Sequence, residues 1–451
     1  MGQKVESRGF LRQRAVRSGI EPDAGSADAL SVPCAKHAHV LRLGPRRWAP
    51  FVAITAALTT ACGASTRSCG AAEVASSEAG AASLSSVRLI GRFDPPTSER
   101  LQGPEAARPL RFAWSGTSFE VRFTGAAMAM RLRAAPLAPH TVVVDGKAVS
   151  MAETSTAYSV RIDGRPPLSI EVSNERERYD LATGLDPAAP HVVRVMREAE
   201  AFAGVHELVG VELAPGGRFL PPRAASLHIE VIGDSITCGY GVLGDSERCP
   251  FTYATERASA AYGARLGESL DADVTTVCWS GRGVLRNYDG STTATMPELY
   301  ELALPADPPV PWSFAAAPRA DTVIVSLGTN DFLGSSGRPL DLAAFEEAYV
   351  RFLRRVRERE PNAFVILITS PMLKAEPTVP PGPGTVRELA RASLERVVAR
   401  RSDEGDHRIE LVPLDGDATA QNRGCDAHPN ADDNARIAVR LERVIRARLH
   451  R

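Results

Sequence analysis

The chain has 451 residues, of which 44% are hydrophobic and 24% charged, with 53 Lys and Arg against 54 Asp and Glu. This composition excludes a disordered, collagen-like or coiled-coil protein, and a net charge of -1 gives no reason to expect nucleic acid as a partner. No apolar run reaches the roughly 18 residues that a membrane-spanning helix requires, and the sequence contains no CxxC pair to hold zinc.

The first 61 residues have the pattern of an export leader. A short apolar run at residues 48–58 follows Arg42, Arg46 and Arg47, which is the order of a secretory signal. The run ends in LTTAC at residues 58–62, similar to the box in which bacterial lipoproteins carry a lipidated cysteine. A buried core helix is the alternative. We predict a lipoprotein-type leader at residues 1–61, with Cys62 as the lipidation site.

Residues 62–86 consist almost entirely of Ala, Ser, Gly, Thr and Glu. Such a segment has too little apolar surface to build a core, so we predict a flexible tether.

From residue 87 to residue 222 the apolar residues alternate with polar ones, as at residues 118–123, 128–132 and 158–162. Asp-Gly pairs such as Asp163-Gly164 supply tight-turn chemistry between these runs. Many short strands with frequent turns predict a β-sandwich domain.

Residues 223–451 follow another pattern, in which apolar runs alternate with helical stretches such as Leu342–Val356. Strands alternating with helices predict a parallel sheet covered by helices on both faces. The predicted strands lie at residues 227–232, 274–279, 322–327, 364–369 and 409–413.

Polar residues and glycine follow the first three of these strands, because Ser235, Gly281 and Asn330 each lie in a loop where a strand ends. Ligands of open α/β sheets bind at these ends, and His428 precedes the final helix. Together they form an acyl-transfer set: Ser235 as nucleophile, His428 as base, and an oxyanion hole from Gly281, Asn330 and the Ser235 N–H. Taken alone, Ser235 would be a helix cap, Gly281 and Asn330 would be turn residues, and His428 would be a structural histidine. The joint pattern of the four residues favours catalysis.

Four segments carry a resemblance to a known family: IEVIGDSITCGYG, WSGRGVLRNY, SLGTNDF and GCDAHPN. They resemble the blocks of the SGNH (GDSL-like) hydrolases, and more narrowly those of carbohydrate esterase family 2. The resemblance implies a flavodoxin-like parallel sheet behind an N-terminal jelly-roll β-sandwich, removal of acetyl groups from polysaccharides, and the same roles for Ser235, His428, Gly281 and Asn330.

One position departs from the wider superfamily, in which the supporting acid lies three residues before the histidine. Here that residue is Cys425, while Asp426 lies two before His428. The family 2 members that this loop resembles are Ser–His dyads, in which a backbone carbonyl holds the histidine. We therefore predict a dyad and keep Asp426 as a candidate for orienting His428.

Other residues near these blocks have two readings each. Cys238 and Cys249 lie close together and form a disulfide or remain two free thiols, while Cys278 is expected to pack as a small apolar residue. Candidates for substrate binding are Tyr240, Trp279, Trp312 and Asp331, although core packing is an alternative for the aromatic ones.

The sequence thus predicts an exported carbohydrate O-acetyl esterase that acts on xylan-like or glucomannan-like polysaccharide through an acyl-enzyme on Ser235, without metal or organic cofactor. The alternatives are a GDSL-type lipase or thioesterase on the same scaffold, and a non-catalytic glycan-binding surface lipoprotein. We expect a monomer that binds acetylated polysaccharide or oligosaccharide, does not bind nucleic acid, and meets a membrane only through its N-terminal lipid. It is expected at the periplasmic or outer surface of a bacterium, or secreted.

Overall fold

The computed structural model describes residues 84–95, 108–144, 147–306, 308–335, 337–376, 384–414 and 421–449. The predicted leader, most of the tether and Cys62 lie outside these residues. Leu84, which the sequence assigned to the tether, is 6% exposed and packs into the core of the first domain. The folded chain therefore begins before residue 87.

The first domain is a sandwich of two antiparallel sheets, one of six strands and one of four. The larger sheet has the order β1-β3-β10-β7-β8 with β12 also paired to β3, and the smaller has the order β2-β11-β4-β9. Strands β5 and β6 form a separate hairpin. The bounds are β1 Val87–Ile90, β2 Leu110–Phe112, β3 Ser118–Thr124, β4 Met128–Arg133, β5 His140–Val144, β6 Lys147–Met151, β7 Ser155–Ile162, β8 Leu168–Ser173, β9 Arg178–Ala182, β10 Pro190–Arg197, β11 His206–Leu213 and β12 Arg218–Leu220.

The alternation seen in the sequence places one face of each sheet in the core between the sheets. Phe119, Val121 and Phe123 of β3 are at most 1% exposed, while the residues between them are less buried. Asp163 and Gly164, which follow β7, both have positive φ, of 50° and 71°. A type I′ turn requires this at its two central positions.

The second domain contains a five-stranded parallel sheet in the order β14-β13-β17-β18-β19. This is the doubly wound, flavodoxin-like order, so the predicted fold class is confirmed. The strands are β13 His228–Gly233, β14 Asp273–Cys278, β17 Thr322–Ser326, β18 Phe364–Ile368 and β19 Ile409–Val412, with β15 Leu302–Leu304 and β16 Val310–Pro311 in a hairpin. The helices are α1 Ser235–Cys238, α2 Tyr262–Leu270, α3 Met296–Leu299, α4 Thr329–Leu333, α5 Leu342–Arg359, α6 Val386–Asp403 and α7 Ala431–Leu449.

Helices cover both faces of this sheet. Helices α5 and α6 pack on one face, where Phe345, Leu353 and Leu394 join the core, and α2 and α7 pack on the other, where Leu266 and Leu441 do so. No helix within the described residues is both long and apolar enough to cross a bilayer.

The sandwich joins the second domain through buried side chains. Trp114 is fully buried and donates its indole N–H to the carbonyl of Leu302 at 3.2 Å. The guanidinium of Arg92, also fully buried, pairs with the carboxylate of Glu230 at 3.0 Å. Ala113, Trp114 and Ala201 of the sandwich join a core cluster of the second domain, while the sandwich also has a core of its own.

Strand register sets the position of the site. Gly233, the last residue of β13, is the register partner of Cys278 in β14 and of Ser326 in β17. Three parallel strands therefore end side by side, and the loops that follow them leave the sheet at the same edge.

Candidate active site

Ser235 opens α1 one residue beyond Asp234, at the end of β13. Asp234 caps this one-turn helix, because its Oδ1 accepts the N–H of Ile236 at 3.1 Å. Gly239 ends the helix with φ of 87°, and a Cβ there would lie 2.4 Å from the carbonyl oxygen of Arg257. The sharp turn on both sides leaves Ser235 at the edge of the sheet, 6% exposed.

His428 contacts Ser235 directly. Its Nε2 lies 2.8 Å from Ser235 Oγ, across 193 positions of sequence. Its Nδ1 lies 3.1 Å from the carbonyl oxygen of Asp426 and 3.2 Å from that of Cys425. A carbonyl only accepts, so Nδ1 carries the proton and Nε2 is left to accept the hydroxyl hydrogen of Ser235.

The carboxylate of Asp426 does not hold the imidazole. Its Oδ2 accepts the hydroxyl hydrogen of Tyr240 at 2.6 Å, and the Tyr240 ring lies against His428 with the ring centroids 4.2 Å apart. Asp426 has φ of 51°, so its backbone is in the left-handed region and presents its carbonyl to Nδ1. Asp426 therefore orients His428 through its backbone, and Tyr240 packs on the histidine.

Burial sets the ionisation of His428. The side chain is 9% exposed, and loss of water around it lowers the pKa of His428 to about 4, against the opposing effect of the Cys425 carbonyl and the Asp426 charge. At neutral pH the imidazole is therefore uncharged and able to accept a proton.

The candidate donors for a developing negative charge follow three neighbouring strands of the sheet. Among the described residues, neither the N–H of Ser235 nor that of Gly281 has a hydrogen-bond partner. Gly281 follows β14 with φ of 77°, a conformation that suits glycine. The Asn330 amide donates one hydrogen to the carbonyl of Arg282 at 2.9 Å, which leaves its second hydrogen for another acceptor. Their role as an oxyanion hole remains a prediction.

The loop that carries His428 is linked to the loop that follows α1. Cys249 and Cys425 form a disulfide, and the N–H groups of Cys425, Asp426 and Ala427 donate to the carbonyls of Gly241, Cys249 and Glu247 at 2.9 to 3.1 Å.

The predicted pairing of Cys238 with Cys249 is wrong, because Cys238 pairs with Cys278. Cys278 is not a free apolar residue either: it ends β14 beside Gly233, close to the end of α1 where Cys238 lies. One disulfide thus joins the Ser235 helix to the strand before Gly281, and the other anchors the His428 loop.

Two of the predicted substrate-binding residues have other contacts: Asp331 is bonded within the loops of the site, and Trp312 lies at the opposite edge of the sheet. The carboxylate of Asp331 is fully buried and accepts the N–H groups of Val284, Leu285 and Arg286 at 2.8 to 3.0 Å. It therefore organises the loop after β14 and is not free to bind a substrate.

Trp312 precedes β17 and lies over Arg92 at the opposite edge of the sheet, in a cavity with His228 and Asp273, which begin β13 and β14. The sequence indicated this position, because Trp312 lies ahead of the predicted strand at residues 322–327 and does not directly follow any of the five predicted strands.

Trp279 lies at the predicted edge, because its N–H donates to the carbonyl of Gly233 at 3.3 Å. Its ring packs near Phe202 of the sandwich, with centroids 6.2 Å apart. The sequence prediction omitted Tyr288, which is 48% exposed and donates its N–H to the carbonyl of Gly281 at 2.8 Å. An aromatic residue shortly after Gly281, the candidate oxyanion-hole glycine, was the available signal in the sequence. Within the residues that the structure describes, no group of three His, Cys, Asp or Glu side chains is placed to hold a metal ion.

Known proteins are similar to this chain in both domains. The sequence profile of the GDSL-like Lipase/Acylhydrolase family matches residues 231–436, and that of the Carbohydrate esterase 2 N-terminal domain matches residues 103–222. A family two carbohydrate esterase from Clostridium thermocellum, solved in complex with cellohexaose, has a TM-score of 0.66 at 27% identity, covering 81% of this chain and 99% of that one. The chain belongs to carbohydrate esterase family 2, within the SGNH (GDSL-like) hydrolases.

Two curated proteins are similar to this chain over long stretches. The chain is 28% identical to the Cellulase/esterase CelE of Acetivibrio thermocellus over 360 residues. The aligned stretch covers 80% of this chain and 39% of CelE. It is 31% identical over 244 residues to an Acetylxylan esterase / glucomannan deacetylase of Cellvibrio japonicus, covering 52% of this chain and 66% of that protein. The chain therefore matches well under half of the length of CelE.

Proposed function

We propose that this family 2 member is an exported carbohydrate O-acetyl esterase that works through a Ser235–His428 dyad. The observation that carries the proposal is the 2.8 Å contact between Ser235 Oγ and His428 Nε2. The N–H groups of Ser235 and Gly281, which follow neighbouring strands, have no partner in the described part of the chain. A hydroxyl, a neutral imidazole and free donors at one place are the requirements of serine ester hydrolysis.

The reaction follows from the placement of these atoms. Ser235 Oγ attacks the carbonyl carbon of the acetyl group while His428 Nε2 takes its proton, and the carbonyl oxygen becomes negative beside the N–H groups of Ser235 and Gly281. The bond to the sugar oxygen then breaks, and His428 returns the proton to that oxygen. Water, deprotonated by His428, attacks the acetyl-Ser235 carbonyl and releases acetate and the free serine.

Carbohydrate is the substrate that the surroundings and the relatives favour. Trp279 and Tyr288 offer aromatic faces near the site, and such faces pack on the apolar side of sugar rings. One curated relative is named an acetylxylan esterase and glucomannan deacetylase, and a solved relative is bound to cellohexaose. An acetylated polysaccharide of xylan or glucomannan type is therefore the proposed substrate.

A lipase or thioesterase on this scaffold needs space for a long acyl chain next to the serine. A cavity of about 700 Å³ is lined by residues between Val284 and Arg355, and Ser235 and His428 are not part of its wall. This cavity therefore offers a long acyl chain no space next to Ser235.

The disulfides support export. Cys238–Cys278 and Cys249–Cys425 lie in the second domain, and disulfides persist mainly in oxidising compartments. We propose lipid anchoring at Cys62 at the bacterial surface. In the native host, Cys62→Ser should move the protein from the membrane fraction to the soluble fraction. A native protein whose peptides include residues 1–39 would contradict processing of the leader.

The decisive assay is acetate release from acetylated xylan and acetylated glucomannan. We expect release by the wild type and a loss of about 10⁵-fold in kcat for Ser235→Ala and for His428→Ala, because the two groups act as a unit. 4-Nitrophenyl acetate and palmitate serve as controls for acyl length. Preference for palmitate would favour the lipase, and glycan binding without acetate release would favour the non-catalytic lipoprotein.

A further inference from the structure

A carboxylate of the sandwich domain reaches the loop that carries Gly281. Glu200 follows β10, is fully buried, and accepts the N–H of Ser280 at 2.7 Å through Oε2. Its other oxygen, Oε1, accepts the hydroxyl hydrogen of Ser280. Both donors of Ser280 therefore end on one carboxyl group from the other domain.

Glu200 is itself held on both sides. Its N–H donates to the carboxylate of Glu256 at 3.3 Å, and its carbonyl accepts from the buried guanidinium of Arg197 at 3.0 Å. Burial raises the pKa of Glu200 to about 7 and that of Glu256 well above its usual range. Burying two carboxyl groups costs free energy, so a packing role alone does not explain why Glu200 and Glu256 are buried here.

The contact matters because Ser280 immediately precedes Gly281. The N–H of Gly281 belongs to the peptide group that joins these two residues, and fixing the backbone and hydroxyl of Ser280 limits the rotation of that group. On the other side, the carbonyl of Gly281 accepts the N–H of Tyr288 at 2.8 Å. Gly281 is thus restrained from both directions, with its own N–H left without a partner among the described residues.

We propose that Glu200 is a positioning residue for the esterase reaction: through Ser280, it holds the Gly281 N–H where the oxyanion forms. The inference rests on the proposed function and assigns the sandwich a part in catalysis. The domain supplies the group that keeps the oxyanion donor in place, in addition to any contact it makes with glycan.

The chain offers a matched control two residues away. Glu198 is 1% exposed and accepts the N–H of Ser259 at 2.8 Å, so it also links the sandwich to the second domain. Ser259, however, does not adjoin an oxyanion donor. Glu198→Gln and Glu200→Gln therefore alter equally buried carboxyl groups with different consequences for Gly281.

The test compares Glu200→Ala, Glu200→Gln, Ser280→Ala and Glu198→Gln with the wild type on 4-nitrophenyl acetate. We expect Glu200→Ala to lower kcat about 100-fold with KM nearly unchanged, since a misplaced donor costs about this much. Glu200→Gln, which keeps an acceptor oxygen, should recover part of the rate. Adding Ser280→Ala to Glu200→Ala should cost little more, because both act through one contact.

Phenylboronic acid gives a second readout, since its adduct with Ser235 places an oxygen in the oxyanion hole. Its dissociation constant should rise for Glu200→Ala in proportion to the loss in kcat, and stay unchanged for Glu198→Gln, even where both variants melt at a lower temperature. If Glu200→Ala and Glu198→Gln had equal kcat and equal boronate affinity, the positioning role would be overturned. A wild type that neither cleaves the ester nor binds the boronic acid would overturn the proposed function as well.

Discussion

His428 is oriented by main-chain oxygens. Its Nδ1 faces the carbonyls of Asp426 and Cys425, while the Asp426 carboxylate bonds to Tyr240. A carbonyl fixes the tautomer as well as a carboxylate does, but it would bring less negative charge to the imidazolium that the proposed mechanism forms. We therefore expect the side chain of Asp426 to contribute little to the rate.

Asp426→Asn should lower kcat by less than about tenfold, because the carbonyl that holds His428 remains, whereas His428→Ala should lower it by about 10⁵-fold. Tyr240→Phe, which removes the partner of the Asp426 carboxylate, serves as the control and should have a similarly small effect. Steady-state rates of acetate release measure both. A loss for Asp426→Asn as large as that for His428→Ala would make the carboxylate a full third member.

The lowered pKa of His428 predicts an unusual acid limit. The base works only when neutral, and a pKa of about 4 keeps it neutral down to that pH, so protonation of His428 should lower kcat/KM only below about pH 5. An unperturbed histidine would give a midpoint near about 6.5. Initial rates from pH 3.5 to 8, with circular dichroism to verify folding, distinguish the two. A midpoint close to the unperturbed value would contradict burial of the imidazole.

Two disulfides fasten the elements that carry the site. Cys238–Cys278 joins α1 to β14, and Cys249–Cys425 joins the loop after α1 to the His428 loop. Two consecutive residues of the loop that carries His428, Asp426 and Ala427, have positive φ. Residues other than glycine rarely adopt this conformation, so the loop needs other contacts to hold it. The covalent link and the backbone bonds to the partner loop supply that support.

Replacing Cys249 and Cys425 together by serine should lower both stability and activity. In the chain-entropy model, closing a loop of this length contributes about 5 kcal/mol, and release of the His428 loop should lower kcat between about 10- and 100-fold. The Cys238→Ser/Cys278→Ser pair, with the shorter loop, should lose about 4 kcal/mol at most. Urea unfolding and kcat below the melting range measure these effects. An unchanged kcat in the first pair would show that backbone bonds alone hold His428.

The sequence predicted the strands and helices better than it predicted the contacts between them. Alternation and apolar runs predicted both domains. A strand end identified Ser235 and the position before the final helix identified His428, and the structure shows their 2.8 Å contact. The cysteine pairing was not accessible, because it depends on which strands are neighbours and in what register. Asp331 was misread for the same reason: its partners are backbone N–H groups of another loop, which no local pattern indicates.

At the scale of the whole molecule, buried and partly buried ion pairs link the two domains. Arg92 of the sandwich is fully buried against Glu230 of β13, whose second oxygen accepts the hydroxyl hydrogen of Tyr300 at 2.9 Å. Arg88 of β1 likewise binds Asp273 of β14. Charged groups buried between domains tolerate little separation, since an unpaired buried charge is costly.

Arg92→Met should lower the free energy of unfolding by about 3 to 5 kcal/mol, because it leaves the Glu230 carboxylate buried without its cation. The double variant Arg92→Met/Glu230→Gln, which removes both charges, should be more stable than the single one. Both should retain kcat at 25 °C, as Arg92 lies near Trp312 at the edge of the sheet away from Ser235. Denaturant unfolding measures this, and equal stabilities of the two variants would contradict a coupled pair.

The side-by-side ending of β13, β14 and β17 also determines where the protein tolerates redesign. Deleting one residue from β14 would shift Gly281 by about 3.3 Å and invert the side chains of that strand. The turn between α6 and β19 meets the sheet at the other rim, where its strands begin. Asp406 in that turn pairs with Arg357 and Arg401, so an affinity tag inserted there has to keep these ion pairs, but it would leave the edge that carries Ser235 and His428 unobstructed.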